Sequence, residues 1–236
     1  MSTFVLVPGA GGAAWYWSRL VPELERTGDR TVALDLPGDD PSVGLDGYIE
    51  QVVEALRAER AADPAATLVL VGQSFGGFSA LAAAERCGVD AVVLVNAMIP
   101  RPGESGAQWW RTVGQARARR ENEARAGRDP ARAFDALDVF FHDAPPDVRA
   151  EAADHDREQS APAFEQPWPG QGRPGAPVSV LVSDDDRLFP PAWQRAIARD
   201  RLGLEARTVP GGHLNAMSRP RELAEALRDV AGQIRR

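Results

Sequence analysis

Apolar residues in this chain fall into two kinds of run. Short continuous ones, at residues 3–7, 31–36, 68–71, 91–95 and 177–183, lack polar alternation and read as strands buried on both faces. Between them lie stretches with apolar positions at helical spacing. Trp17, Leu20, Val21 and Leu24 mark a helix over 15–27 that Gly28 is placed to end, and Ile49, Val52, Val53 and Leu56 mark another over 48–62. Ala-rich residues 79–86 form a third, and a closing helix runs over 220–234 after a weaker sixth strand at 205–209. Strand and helix alternate, which predicts an α/β fold: a mostly parallel six-stranded sheet flanked by helices through right-handed crossovers.

The alternation lapses once, over residues 98–176, and a structureless loop of that length inside a compact domain is not expected. The stretch is read as a helical cap inserted after the fourth strand, with 1–97 and 177–236 forming the core. Within it, 108–125 is predicted to be helical, supported by Arg117/Glu121 and Glu121/Arg125 at i,i+4, and 131–141 and 147–158 are further helices. Residues 161–176, rich in Pro and Gly, are the return linker. The arginines at 117, 119, 120, 125 and 128 suit a solvated helix face better than a dock for an acidic carrier protein.

One apolar run ends abruptly in Gly72-Gln73-Ser74-Phe75-Gly76 and passes at once into helix. This G-x-S-x-G spacing places a serine on a sharp strand-to-helix turn, its hydroxyl projected above the sheet, with a helix N-terminus aimed at any anion formed there. Ser74 is the candidate nucleophile. A second glycine loop, Pro8-Gly9-Ala10-Gly11-Gly12, follows the first strand; its spacing fails the dinucleotide fingerprint, and Asp35 is followed by Leu36-Pro37-Gly38 rather than by the required setting.

Composition narrows the chemistry. The chain has 236 residues and a formal net charge of −7, which argues against a nucleic-acid surface. All basic residues other than histidine are arginine, so a catalytic lysine is excluded, and the Ala, Gly and Pro content suggests GC-rich coding, as in a high-GC bacterium. Cys87 is the single cysteine and reads as a small core residue at a helix end; it allows neither an intramolecular disulfide nor a C-x-x-C redox or zinc site. The start lacks the basic and apolar regions of a signal peptide and no apolar run reaches membrane-spanning length, so a cytoplasmic location away from the membrane is expected.

A serine hydroxyl needs a general base and a group that orients it. Of the histidines, His213 follows the last strand in Gly211-Gly212-His213, at the carboxyl edge where such sites form, whereas His142 and His155 fall in the cap beside Asp143 and Asp156. The acid should follow the fifth strand, where Asp184, Asp185 and Asp186 stand in a row. Asp186 leads through Arg187-Leu188-Phe189 into a Pro-started helix, and the order Ser, Asp, His along the chain suits this architecture. A tetrahedral oxyanion needs two donors; the backbone N–H of Phe75 is one, and that of Ala10 the natural second.

With these residues placed, the chain resembles the α/β-hydrolases over nearly its whole length, and within them the branch of plant methylesterases, hydroxynitrile lyases and bacterial esterases. The family pattern H-G-A-x-x-G-x-W-x-W after the first strand is matched by Pro8-Gly9-Ala10 through Trp15-Tyr16-Trp17, which implies Ala10 as oxyanion donor. The elbow G-H-S-x-G-G reads Gly72-Gln73-Ser74-Phe75-Gly76-Gly77. The late motifs D-x-x-x-P and H-x-x-x-x-S-x-P are matched by Asp186 to Pro190 and by His213, Ser218 and Pro220, which favours Asp186 as the acid. Pro8 and Gln73 stand where the family usually has histidine, and Leu214 stands where the lyases carry lysine.

The resemblance implies hydrolysis of a small-molecule carboxylic ester through an acyl-enzyme, without cofactor or metal. The same triad could serve a thioesterase, an acyltransferase or a cyclase, and a non-catalytic binding module is the reading from another class. Aromatic residues crowd the cap, and Trp109, Trp110, Phe140, Phe141 and Trp168 are the candidates for an apolar pocket. No basic cluster is placed at the triad by sequence, so multiply anionic substrates are not expected. Oligomeric state is not legible in the sequence.

Overall fold

A computed structural model describes residues 1–234. Six strands form one sheet in the order β2-β1-β3-β4-β5-β6: β1 Ser2–Val7, β2 Arg30–Ala33, β3 Thr67–Gln73, β4 Ala91–Val95, β5 Val178–Ser183 and β6 Arg207–Val209. Every pairing is parallel, so the carboxyl ends of β1, β3, β4 and β5 open onto one edge. Alternate side chains fill two cores. Val5, Leu70, Val92, Leu94, Val180 and Val182 face the helices α2 (Leu45–Ala62), α3 (Gly76–Arg86) and α9 (Pro191–Leu202). Phe4, Leu6, Val69, Val71, Val93 and Leu181 face α1 (Leu20–Glu25) and the closing helix Pro220–Ile234. The continuous apolar runs reflect this double burial.

The helix expected over 15–27 is two pieces, a 3-10 turn Ala14–Trp17 and then α1. Pro22 explains the break, because its ring blocks the carbonyl of Ser18 and it has no N–H to donate, so the α-helix can start only in the turn that contains it. Strand β2 stops at Ala33, short of the expected residue 36, because Leu36 turns away to bond the Gly12 carbonyl at 2.8 Å.

Between β4 and β5 the chain makes five short helices: α4 Gly106–Thr112, α5 Gln115–Arg125, α6 Ala136–Phe140, α7 Pro146–Glu151 and α8 Ala161–Glu165. The single helix expected over 108–125 is split at Gly114, whose φ of 72° ends one helix and opens the next. Residues 131–135 stay outside α6, which starts where the Asp135 carboxylate caps the Asp138 N–H at 3.2 Å. The stretch expected as a helix over 147–158 is α7 followed by a 3-10 turn, Ala152–His155, and the linker at 161–176 begins with α8. Both i,i+4 ion pairs of α5 are present, at 2.7 and 3.5 Å, on an exposed face.

The inserted segment is tied to the sheet layer by charge as well as packing. Arg201 of α9 forks onto Glu104, ahead of α4, and its Nη1 also donates to the Ile99 carbonyl at 2.6 Å. Burial alone would raise the Glu104 pKa, but hydrogen bonds from Arg201 and the Arg101 N–H, with the Arg201 charge and the Thr112 hydroxyl, outweigh it and leave the carboxyl below its ordinary range. A depressed folded pKa gives stability that is present above the unfolded pKa and lost as pH falls through the folded one. Glu104→Gln is therefore expected to be less stable than the parent at pH 7, by about 1–2 kcal/mol in urea unfolding for a partly buried, charge-assisted pair, and the gap is expected to shrink below about pH 4. A gap independent of pH would refute the assignment.

Candidate active site

Ser74 sits just beyond β3, whose Gly72 is in register with Val7 of β1 on one side and Leu94 of β4 on the other. Its φ of 50° is left-handed, a conformation that costs a non-glycine residue about 1–3 kcal/mol, and the surroundings enforce it. Its N–H donates to the Val95 carbonyl at 3.2 Å, and its own carbonyl accepts from Met98 at 2.8 Å and Gly77 at 3.1 Å. A Cβ on Gly76 would strike the Pro8 carbonyl oxygen, so glycine lets the loop after β1 close onto the turn.

The three residues singled out in the sequence meet here. Ser74 Oγ lies 3.1 Å from His213 Nε2, and His213 Nδ1 lies 2.8 Å from Asp186 Oδ2. All are buried, His213 and Asp186 at 1 % exposure. Asp186 accepts four hydrogen bonds: Leu188 and Phe189 N–H on Oδ1 at 2.8 and 2.7 Å, and Gln194 Nε2 with the imidazole on Oδ2. Because the carboxylate is purely an acceptor, it fixes the proton on Nδ1 and leaves Nε2 free to accept from Ser74. The rings of Phe189 and Phe140 pack against the buried imidazole, with centroids 5.0 and 5.5 Å from its own.

The neighbouring aspartates have other partners. Asp184 accepts the Gly211 N–H at 2.9 Å, and Asp185 pairs with His142 at 3.1 Å. His155 stacks on Trp15 with ring centroids 4.4 Å apart. Neither cap histidine is among the residues lining the cavity over Ser74.

Ala10 and Phe75 both line that cavity beside Ser74. Among the described residues, neither backbone N–H has a protein acceptor, so both are available to an oxygen placed over the serine. Gln73, in place of the usual histidine, is buried and donates through Nε2 to the His213 carbonyl at 3.3 Å.

The cavity measures about 700 Å³. Of the aromatic candidates, Trp110, Phe140 and Phe141 line it, joined by Phe164. Trp109 and Trp168 do not. Trp109 donates to the Ile99 carbonyl at 3.0 Å and packs on Phe189 and Trp193; Trp168 donates to the Phe78 carbonyl at 2.9 Å. Both are at most 1 % exposed, and aromatic side chains buried in this way are worth about 3–5 kcal/mol against truncation, so their role is packing.

A polar wall was not foreseen from the sequence. Tyr16, Arg149, Asp156, Arg157, Gln159 and Glu165 all line the cavity, so two arginines stand there beside two acids rather than as a basic cluster. Its formal charges offset, Arg149 and Arg157 against Asp156 and Glu165; Arg157 also pairs with Asp35 at 3.1 Å, and Arg149 donates to the Phe141 carbonyl at 2.6 Å. Burial, with the Asp156 charge, raises the Tyr16 pKa against a smaller lowering by Arg157, so its phenol is a neutral donor near pH 7. These residues come from the inserted segment and the loop after β1, and no local motif announces them.

Among the described residues no helix is long and apolar enough to cross a membrane, and no group of three His, Cys, Asp or Glu side chains is placed to hold a metal ion.

A parallel sheet with a strained serine at its central strand-to-helix turn, backed by histidine and aspartate, is the layout of a hydrolase. Residues 4–226 match the Alpha/beta hydrolase family. The chain belongs to that family. Norfluorocurarine synthase 1 of a Strychnos species is 22 % identical over 98 % of this chain and 96 % of its own. "Probable esterase PIR7A" of Oryza sativa subsp. indica is 39 % identical over 110 residues, 43 % of this chain and 41 % of its own. Among solved structures, polyneuridine aldehyde esterase superposes with a TM-score of 0.77 at 21 % identity, over 98 % of this chain and 99 % of that one. These relatives agree with the methylesterase-like branch that the motifs resemble.

Proposed function

We propose that this enzyme hydrolyses small-to-medium apolar or aromatic carboxylic esters through an acyl-enzyme on Ser74. The observation that carries the reading is the chain of contacts from Ser74 Oγ to His213 Nε2 at 3.1 Å and from His213 Nδ1 to Asp186 at 2.8 Å, at the floor of a mainly apolar cavity. Ser74 attacks the ester carbonyl as His213 takes its proton, and Asp186 stabilises the imidazolium that results. The oxyanion lies against the N–H groups of Ala10 and Phe75, each worth about 10²–10³ in rate. His213 then protonates the leaving alcohol, and water, deprotonated by the same imidazole, releases the acid. Names containing "esterase" among the relatives support ester chemistry in general.

We further propose that residues 98–176 act as the lid that selects the substrate. Its Trp110, Leu137, Phe140, Phe141 and Phe164 supply the apolar wall, and an ester with one polar substituent would match Tyr16 and the balanced charges opposite. Leu214, at 8 % exposure, lines the site where the lyases of this branch carry a lysine, so cyanohydrin cleavage is not expected.

A panel of aliphatic and aryl esters, acyl-thioesters and mandelonitrile, with Ser74→Ala as blank, tests the reading. Serine-dependent turnover of esters, fastest for aryl or apolar acyl groups, is the expected result. Turnover confined to thioesters would favour the thioesterase alternative, and fast cyanide release would overturn the esterase assignment.

A further inference from the structure

The loop that carries His213 is held by side chains from four other places in the fold. Asp184 and Asp143 accept the N–H groups of Gly211 and Gly212, both at 2.9 Å. Gln73 and Asn96 donate to the His213 carbonyl, at 3.3 and 3.0 Å. Two consecutive glycines give this loop little stiffness of its own, so these bonds set where the imidazole points.

Asn96 differs from the other three. It is completely buried immediately after β4, and its φ of 46° is left-handed, a region asparagine tolerates better than most residues. Its Nδ2 donates to Ser183 Oγ at 2.8 Å as well as to the Gly212 and His213 carbonyls, and its Oδ1 accepts the Ser183 N–H at 2.8 Å. The amide orientation is dictated by these partners: reversed, it would set NH₂ against an N–H and oxygen against carbonyls. The preceding carbonyl, of Val95, accepts the Ser74 N–H, and Ser183 ends the strand that leads directly to Asp186. The Asn96 carboxamide thus joins the segments that deliver Asp186 and His213, and the backbone carbonyl just before it holds the turn that carries Ser74.

We propose that Asn96 is a positioning residue for His213, holding the imidazole in line between Ser74 and Asp186. The inference rests on the proposed role of His213 as the base for Ser74. A buried amide in a strained conformation could be replaced by an apolar residue if only stability were at stake. What an apolar residue could not do is fix the carbonyls of the histidine loop against the ends of β4 and β5.

Two variants of the full chain test this. Asn96→Gly keeps the left-handed backbone and removes only the carboxamide; Asn96→Asp keeps shape and backbone but sets an acceptor against two carbonyls. In each, kcat is expected to fall about 10²-fold, the scale of a misplaced catalytic group, with KM within about threefold and the acid limb of the kcat/KM–pH profile displaced. The downfield proton resonance of His213 Nδ1–H, read at low temperature, is expected to broaden or shift relative to the parent. Thermal unfolding by circular dichroism establishes that the variants are folded, and if Asn96→Gly does not fold, the near-isosteric Asn96→Asp decides. A folded variant with kcat within about threefold of the parent and an unchanged pH profile would overturn the proposal. The resonance also separates this inference from the functional reading. It reports imidazole placement in Ser74→Ala too, so an unperturbed signal in Asn96→Gly sinks the positioning role even where Ser74 proves not to be the nucleophile.

Discussion

Ser74→Ala is expected to lose about 10⁶-fold in kcat, the scale at which a triad ceases to function when its nucleophile is removed, while unfolding within a few degrees of the parent. The size of the effect follows from the geometry. Among the described residues the hydroxyl is the one side-chain group hydrogen-bonded to His213 Nε2, and in the proposed mechanism its removal leaves the oxyanion donors and the cavity with nothing to attack the carbonyl. Stability should change little because the turn is held by backbone bonds from Ser74 to Val95, Met98 and Gly77, all of which alanine can make. Alanine also gains no relief at a φ of 50°, so the strain persists in the variant. Initial rates on an aryl ester and thermal unfolding by circular dichroism give both quantities. More than about a tenth of parental turnover in the folded variant would remove Ser74 from the mechanism.

The same geometry explains what could be read along the chain and what could not. The strands were legible because burial on both faces demands unbroken apolar runs, and the serine turn because its requirements are local: a strand end, a serine, and glycine where the loop after β1 presses in. Helix breaks at Pro22 and Gly114 carry their cause in the residue itself, yet periodicity alone ran past both. Trp109 and Trp110 show the limit of composition. They are adjacent and chemically identical, but one is fully buried against Phe189 and Trp193 while the other is 37 % exposed at the cavity, and only helix orientation decides which. Asn96, Gln194 and Asp143 were hidden for a different reason. The partners of Asn96 and Asp143 lie far away in sequence, at Ser183 and His213 and at Gly212, and Gln194 reaches Asp186 eight residues back only through the turn into α9, so their meaning is set by the fold. A polar residue directly after the wholly apolar run of β4 was the one signal that could have pointed to Asn96.

Three consecutive aspartates give the second large prediction its internal control. Asp186→Asn is expected to lower kcat about 10⁴-fold, as when a triad acid becomes an amide and the histidine takes the wrong tautomer; Asp184→Asn is expected to change it only slightly. Asp186 is buried among donors alone, with Leu188 and Phe189 N–H on one oxygen and Gln194 and His213 on the other. An amide there must turn its NH₂ either toward the two backbone N–H groups or toward Gln194 and the imidazole. The first choice leaves buried donors facing each other at about 1–3 kcal/mol each; the second asks Nδ1 to accept, which places the proton on Nε2 where it can no longer take one from Ser74. Either way the variant should lose stability as well as rate. Asp184 is exposed, and its Oδ1 accepts one N–H, from Gly211, which the carbonyl oxygen of asparagine can equally accept. The measurement is kcat for both variants on one ester, with urea unfolding alongside. Comparable losses in the two, or the greater loss at Asp184, would mean that the contact between Asp186 and His213 does not orient the base.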